Sequence, residues 1–135
     1  MGRREQREQI FKLLFRVEFH DREDMPEQLI LFFEEDDLEV MEAERLYITG
    51  KCDRIMDRLA EIDGLLNEKT EKWTTDRMGR AELTILRLAV YEILFDEDVP
   101  TGVAINEAVE LAKKFGQDGA GAFVNGILAR FADKG

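Results

Sequence analysis

Residues 80–95 have the sequence RAELTILRLAVYEILF, the longest apolar pattern in the chain. Apolar residues occupy most of its positions instead of a single stripe, so little of the circumference of a 3.6-residue helix is left polar. We therefore predict that Arg80–Phe95 is the central and most buried helix. The following segment, Asp96–Pro100, is predicted to be a loop, because Pro100 lacks an amide hydrogen and biases Val99 away from helix.

Two more helices are predicted after this loop. Ile105–Phe115 has helical periodicity, with Asn106 placed to cap its start and Glu107 favourable beside the positive helix end. Gly116 stands where a helix C-terminus favours a left-handed residue. Asp118 is placed to cap the last helix.

The N-terminal side of the chain has the same periodicity. Apolar residues between positions 3 and 19 form one stripe of an amphipathic helix. A second helix is predicted to open at Pro26 and to end in the acidic run 34–37. Apolar positions then continue from 38 to 62, as one long helix or as two stacked end to end, with Gly50 as a weak point.

The middle of the chain is predicted to hold one short helix. Asp63-Gly64 marks a break, residues 65–73 form the short helix, and Thr75 caps a further turn. The chain as a whole then has about seven helices and no strand. We predict an all-α fold, in which residues 1–135 form a single domain without internal repeat or linker.

The charge of the chain is unevenly distributed. A formal net charge of −11 argues against nucleic-acid binding when it is averaged over the chain. Residues 1–17, however, hold five basic and two acidic residues, whereas residues 18–45 hold two basic and twelve acidic ones. Only the N-terminus is basic.

The N-terminus runs directly into the first helical pattern, so we expect neither a secretory signal nor a membrane span. Cys52 is the only cysteine, which excludes an internal disulfide and a thiolate metal cluster. A cytoplasmic protein without cofactor or metal is expected.

Catalysis has little support in the sequence. The only histidine, His20, lies among acidic residues where a helix ends, and no Ser-His or Cys-His pair can be assembled without it. The segment 116–122 has glycines spaced as in a phosphate-binding loop. That interpretation fails because Ala122 replaces the lysine and the segment follows a helix instead of a strand. We expect no enzyme activity.

The first helix has a candidate RNA-binding surface. Arg3 and Arg7 extend its core stripe, while Arg4, Phe11 and Phe15 lie along an adjacent line. Guanidinium groups pair with phosphates and stack on bases, and exposed aromatic rings also stack on bases. The alternative is a frayed basic end with two core phenylalanines, and periodicity leaves both open.

Several separated motifs occur in an order that resembles one known family. They comprise DVP at 98–100, VAINEAVELAKKFG at 103–116, FVNGIL at 123–128, ILRLAVYE at 85–92, Trp73, Arg77 and the start with Arg3-Arg4 and Arg7-Glu8. Together they resemble the NusB family of transcription antitermination factors over the whole chain, most specifically from Trp73 onward.

The resemblance implies a small all-α fold of two helical bundles. Proteins of this family bind the boxA element of ribosomal RNA leader transcripts together with NusE, a small-subunit ribosomal protein. The pair helps RNA polymerase to pass terminators, so other antitermination factors and the polymerase are expected as indirect partners. Monomers and homodimers are both compatible with the resemblance, and no catalysis is implied.

The resemblance also assigns roles to individual residues. Arg3, Arg4 and Arg7 match the arginine-rich RNA-binding start, and Phe123 lies in the FVNG segment beside Asp118 in the loop that contacts RNA. Phe15 and Glu82 match positions near the NusE contact. RNA binding is thus expected to use both ends of the chain, which requires the first helix to pack beside the last.

Three residues depart from the family pattern. Ala120 and Ala122 replace a serine and a basic residue before FVNG, and Glu5 interrupts the arginine run. Each lost phosphate contact lowers the salt dependence of single-strand binding by a slope of ~0.7, so we expect weaker unassisted RNA affinity and a larger contribution from NusE.

A protein-interaction module with weak or lost RNA binding is the alternative. The RNA-binding part of a methyltransferase is a remote third, because 135 residues leave no room for a cofactor domain.

Overall fold

The computed structural model describes residues 1–35, 41–70 and 72–132. Within these ranges the chain forms seven α-helices and no strand, which confirms the all-α prediction. The α-helices are α1 (Arg3–Phe15), α2 (Met25–Glu35), α3 (Glu42–Asp57), α4 (Leu59–Lys69), α5 (Arg80–Phe95), α6 (Thr101–Phe115) and α7 (Ala120–Ala129). The chain divides into two compact units, residues 1–56 and residues 57–135.

In the first unit, the apolar stripe of α1 forms part of the core, with Ile10, Leu13 and Leu14 buried. The helix ends at Phe15 instead of Phe19, because the chain tightens into a 3₁₀ turn over Arg16–Glu18. Helix α2 begins at Met25, one residue before the predicted Pro26. Its acidic C-terminal run is described as far as residue 35.

Aromatic rings hold this unit together. Phe32 and Phe33 are buried on α2 with their rings edge to face at 5.2 Å. The Arg16 guanidinium lies over the Phe32 ring at 5.3 Å and donates a hydrogen bond of 2.8 Å to Gln28 Oε1. Arg45 of α3 lies over the Phe33 ring at 4.7 Å, so both arginines cover apolar surface with their planar groups.

Of the apolar stretch 38–62, positions 38–40 lie outside the described residues. The rest forms two helices, which is one of the two predicted alternatives, and the interruption lies at Arg58 instead of Gly50. The predicted break at Asp63-Gly64 is wrong, because both residues lie inside α4. Asp63 accepts two hydrogen bonds from Arg87, of 2.8 and 2.7 Å, which fasten α4 to α5. A bidentate charged pair outweighs the helix penalty of about 1 kcal/mol that a glycine carries.

Helix α4 is shorter than the predicted 65–73 helix at its C-terminal end. It ends at Lys69, and the Thr70 hydroxyl donates to the Leu66 carbonyl at 2.8 Å. Trp73 therefore lies in the connection to α5. Thr74, not Thr75, precedes the short 3₁₀ turn Thr75–Arg77 in that connection.

Helix α5 is the centre of the second unit, as predicted. Every residue from Glu82 to Ile93 is buried, and α6 and α7 pack on it. Helix α6 begins at Thr101, directly after Pro100, whose carbonyl accepts the Ala104 amide hydrogen at 3.0 Å. None of the helices in the described ranges is long and apolar enough to cross a membrane.

This early start corrects two predictions. Asn106 and Glu107 lie in the second turn of α6, so neither caps the helix nor lies at its positive end. The first turn of α6, Thr101 to Ala104, has no clear apolar stripe, so periodicity predicts a later start at Ile105. Pro100 instead supplies the N-terminal boundary, since its fixed backbone suits the residue before a helix.

The α6–α7 turn also differs from the prediction. Gly116 has an extended backbone (φ −90°, ψ 177°), and Gly119 is the left-handed residue, with φ 83°. Gly116 is needed for space, because a Cβ there would lie 2.5 Å from the Ala120 Cβ. Gly119, not Asp118, is the N-cap of α7.

Candidate nucleic-acid interface

The basic end of α1 is accessible. Arg3 and Arg4 are exposed, and Arg7, one turn further on, is partly buried. Gly2 is the N-cap and supplies no capping side chain, although Glu5 lies in the first turn and the Glu44 carboxylate lies 3.5 Å from the Met1 ammonium. Guanidinium groups on a positive helix end favour contact with an anion such as a backbone phosphate.

A row of phenylalanine rings follows the arginines. The Phe11 and Phe15 ring centroids are 6.0 Å apart, and Phe15 meets the Phe19 ring edge to face at 5.2 Å. Phe11 is only 4% exposed, so the interpretation of Phe11 as an exposed stacking ring is wrong and the core interpretation holds for it. Phe15 is partly buried, and Phe19, which the sequence did not single out, is 52% exposed.

In the second unit, Glu82 organises the turn between α6 and α7. It is 9% exposed, and its Oε1 accepts a hydrogen bond of 3.2 Å from the backbone amide of Gln117. Glycines at 79 and 116 let this carboxylate approach, since a Cβ at Gly79 would lie 2.4 Å from Glu82 Oε2 and one at Gly116 would lie 3.3 Å from Oε1. The carboxylate thus fixes the turn that carries Asp118, whose side chain is exposed.

Trp73 and Phe123 form an aromatic pair beside this turn. Their ring centroids are 5.9 Å apart and the planes are nearly perpendicular, at 86°. Both rings line a groove of about 270 Å³ that contains Asp118, and both also line a larger groove of about 670 Å³. The α6–α7 turn and the Trp73 connection therefore form one continuous polar and aromatic surface.

The larger groove, which we call the tryptophan groove, has cationic and small residues in its lining. Its residues are Thr70, Lys72, Trp73, Ala122, Phe123, Gly126, Ile127 and Arg130. The sequence indicated Trp73 as the end of a short helix and as part of the family pattern, and it did not single out Lys72 or Arg130. The available signal was a tryptophan next to Lys72 in the polar segment KWTTDR, a context that favours exposure over burial.

The described residues contain no cluster of three or more histidine, cysteine or acidic side chains that could hold a metal ion. Cys52 is fully buried, and that burial, followed by the nearby charge of Asp53, raises the pKa of its thiol to about 12. A thiol with so high a pKa is a poor nucleophile at neutral pH. Cys52 is therefore a core residue.

The sequence-predicted site residues lie in both units. Arg3, Arg4, Arg7 and Phe15 are on α1 in the first unit. Glu82, Asp118 and Phe123 come together in the second unit, where all three line the smaller groove. Their roles in binding stay predictions.

Comparison with known proteins identifies the chain. The model of the NusB family matches residues 4–133. The chain belongs to the NusB family. The transcription antitermination protein NusB of Agathobacter rectalis is 54% identical over 133 residues, which covers 98% of this chain and 100% of that protein.

Solved structures of the NusB family have the same fold. NusB of T. maritima superposes with a TM-score of 0.87 at 36% identity, covering 99% of this chain and 92% of that one. A crystal structure of the antitermination factors NusB and NusE in complex with double-stranded RNA gives 0.81 at 27% identity and covers 97% of each chain. Membership in a family of transcription antitermination proteins confirms that the chain is not an enzyme.

Proposed function

We propose that this chain binds single-stranded boxA-type RNA of ribosomal RNA leader transcripts jointly with NusE, and that the complex promotes read-through by RNA polymerase. The basic end of α1 carries the proposal: Arg3 and Arg4 are exposed at the start of the helix, in a chain whose net charge is −11. The antitermination role is supported by NusB family membership. The crystal structure of a similar NusB with NusE and double-stranded RNA supports NusE and RNA as partners.

Charge restricts where RNA binds. The strongly acidic segment 18–45 repels phosphate, so the strand is held where Arg3, Arg4 and Arg7 offset that field. Asp118 and Phe123 contact the RNA at the α6–α7 turn, where an aromatic ring provides a stacking surface for a base. Residues 1–135 thus act as one RNA- and protein-binding domain, with phosphate contacts from the first helix and base contacts from the last.

NusE contacts the chain near Phe15 and Glu82 in this proposal. Phe15 has the exposed Phe19 ring beside it, which extends the apolar surface available to a protein partner. Glu82 is engaged with the Gln117 amide, so it influences the partner contact through the turn that it holds. Other antitermination factors and RNA polymerase join the complex through RNA and NusE. The protein works in the cytoplasm. A homodimer, which covers the RNA surface, competes with RNA binding.

An RNA-binding assay with and without NusE tests the proposal. The RNAs are a boxA-like single strand of about 12 nucleotides, a scrambled strand of the same composition and the boxA-like strand annealed to its complement. We expect the boxA-like strand to bind more tightly than the scrambled one, and NusE to increase the difference. Equal affinity for both strands with and without NusE would contradict the proposal.

A protein-interaction module with lost RNA binding is the second candidate. It is favoured by Ala120, which is 5% exposed, and by the exposed Ala122, because neither supplies a hydroxyl or a charge before Phe123. If this candidate is correct, replacing Arg3, Arg4 and Arg7 with alanine leaves assembly of the protein complex with NusE unchanged. The two functions are therefore separated by one triple variant.

A further inference from the structure

The tryptophan groove has the features of a base-binding site. We propose that it receives one base of the bound RNA strand, stacked on Trp73, with Lys72 and Arg130 contacting the adjacent phosphates. This inference rests on the proposed function and adds a contact that lies beyond the α6–α7 turn.

Trp73 is unusually exposed for a tryptophan. Its side chain is 53% exposed, although tryptophan is usually well buried because it offers a large apolar area. The perpendicular contact with Phe123 at 5.9 Å holds the indole while leaving about half of it accessible. An accessible aromatic surface of this kind stacks with any base, since every base has a π face.

The position of the indole is fixed by the backbone around it. The Thr70 hydroxyl lies within hydrogen-bond distance of the Trp73 carbonyl, and the Thr75 amide donates to Asn67 Oδ1 at 2.7 Å. The single Thr70 hydroxyl hydrogen is shared between the Leu66 and Trp73 carbonyls, so the connection is attached to the end of α4 at Trp73 and again at Thr75. A stacking surface that is already ordered loses less conformational entropy when a ligand binds.

Charge in the groove favours a nucleotide over an apolar peptide. Lys72 and Arg130 are exposed, and no carboxylate is among the described residues of its lining. Arg130 Nη1 donates a hydrogen bond to the Lys69 carbonyl, and this bond orients the guanidinium. The two cations stand out in a chain whose net charge is −11. Cations beside an aromatic face are the combination that single-strand binding proteins use for phosphates and bases.

The groove is as large as a usual small-ligand site. Its volume of about 670 Å³ lies within the range of roughly 300–1,000 Å³ that is usual for small-ligand sites. Ala122 and Gly126 lie one helical turn apart on α7, and their small size leaves the α7 side of the groove open. A Cβ added at Gly126 would meet no atom within 4 Å, so a larger side chain there would enter the groove without a clash at its Cβ.

The test uses the single tryptophan of the chain. The full chain is labelled with 5-fluorotryptophan, so one fluorine resonance reports Trp73 even when unlabelled NusE is present. It is titrated with the boxA-like strand with and without NusE, and with strands that carry one abasic position each. We expect the resonance to shift with RNA, and the shift to be lost with an abasic site at one or two positions.

Three kinds of variant check the same groove independently. Trp73→Ala should raise the RNA Kd by about 5- to 150-fold, the range expected for one lost base-aromatic stack, and Trp73→Phe by less. Gly126→Leu should also raise the Kd by filling the groove, in a helix that gains propensity from the change. Lys113→Gln, an exposed position on α6 outside both grooves, is the control for Lys72→Gln and should have a smaller effect.

The outcomes are distinguishable. If RNA binds with the expected preference but the resonance does not move and Trp73→Ala and Gly126→Leu bind normally, the inference is wrong and the proposed function stands. If NusE alone shifts the resonance and RNA causes no further change, the groove receives the protein, which also overturns the inference. If no RNA binds under any condition, both the inference and the proposed function fail.

Discussion

Glu82 on α5 accepts the amide hydrogen of Gln117, thirty-five positions later in the chain, at 3.2 Å. The bond joins the central buried helix to the turn that carries Asp118 and precedes Phe123. A hydrogen bond to a charged, buried acceptor is stronger than a neutral one at the surface. The geometry of the proposed RNA-contacting turn therefore depends on a residue of α5 that need not touch RNA itself.

Replacing Glu82 with alanine should loosen the turn and lower the free energy of unfolding by about 1–3 kcal/mol, because the Gln117 amide loses its acceptor. Glu82→Gln keeps an acceptor oxygen and should cost less. Hydrogen exchange at the Gln117 amide is the direct measurement, with faster exchange expected in the alanine variant. Unchanged exchange in Glu82→Ala would show that the carboxylate does not hold the turn.

Three glycine-to-alanine variants should differ in sign. Gly64→Ala should stabilise the protein by up to about 1 kcal/mol, because Gly64 lies inside α4 with open space at its Cβ. Gly119→Ala should destabilise by about 1–2 kcal/mol, because its φ of 83° is strained for alanine. Gly116→Ala should be at least as harmful, since its Cβ would lie 2.5 Å from that of Ala120 and 2.7 Å from the Ala112 carbonyl oxygen. Chemical denaturation of all three measures the order, and a stabilising Gly116→Ala would contradict it.

The Asp63–Arg87 pair should be a major contributor to the second unit. Its side chains are 24% and 10% exposed, so breaking it leaves a largely buried guanidinium without this partner. Asp63→Ala should lower the free energy of unfolding by about 2–3 kcal/mol. The double variant Asp63→Ala, Arg87→Leu should recover part of that loss, because no buried charge is then left without its partner. Strictly additive effects in the double-mutant cycle would argue against direct coupling.

Cys52 should resist thiol reagents in the folded protein. Its pKa is raised from 9.0 to about 12, so the folded state binds a proton that the unfolded state releases between these values. The contribution of this group to stability is present below pH 9 and is lost as the pH rises toward 12. Labelling with a thiol reagent at pH 8 should be slow in buffer and fast in denaturant, and rapid labelling of the folded chain would contradict the burial of Cys52.

Long apolar patterns predicted the fold well, and local boundaries much less so. Arg80–Phe95 was identifiable because nearly all its circumference is apolar, a pattern that only a central helix satisfies. Periodicity does not predict the start of α6, because its first turn has no apolar stripe. Asp63-Gly64 has the composition of a break, whereas in the structure Asp63 pairs with Arg87 of another helix. Side-chain contacts between distant segments decide such positions, and periodicity contains no information about them.

In the candidate site, too, the sequence predicts charge pattern better than contacts between distant residues. Arg3 and Arg4 were predictable from composition, since they form the one basic stretch of an acidic chain. Phe11 was ambiguous until its burial was known, because a helical line of rings fits either a core or a stacking surface. The tryptophan groove could not be derived from spacing, because Lys72 and Arg130 are far apart in sequence and line the same groove only in the folded chain.

In the proposed function, the basic end of α1 holds the RNA backbone. The salt dependence of boxA-like RNA binding measures this contact for the triple variant Arg3→Ala, Arg4→Ala, Arg7→Ala, in the presence of NusE. The control variant replaces Arg22, Arg54 and Lys113 with alanine, which are exposed and change the net charge equally. We predict weaker binding and a slope of log Kd against log salt lower by about 2 for the first variant only, at roughly 0.7 per lost phosphate contact. Equal slopes for both triple variants and the wild type would contradict the account.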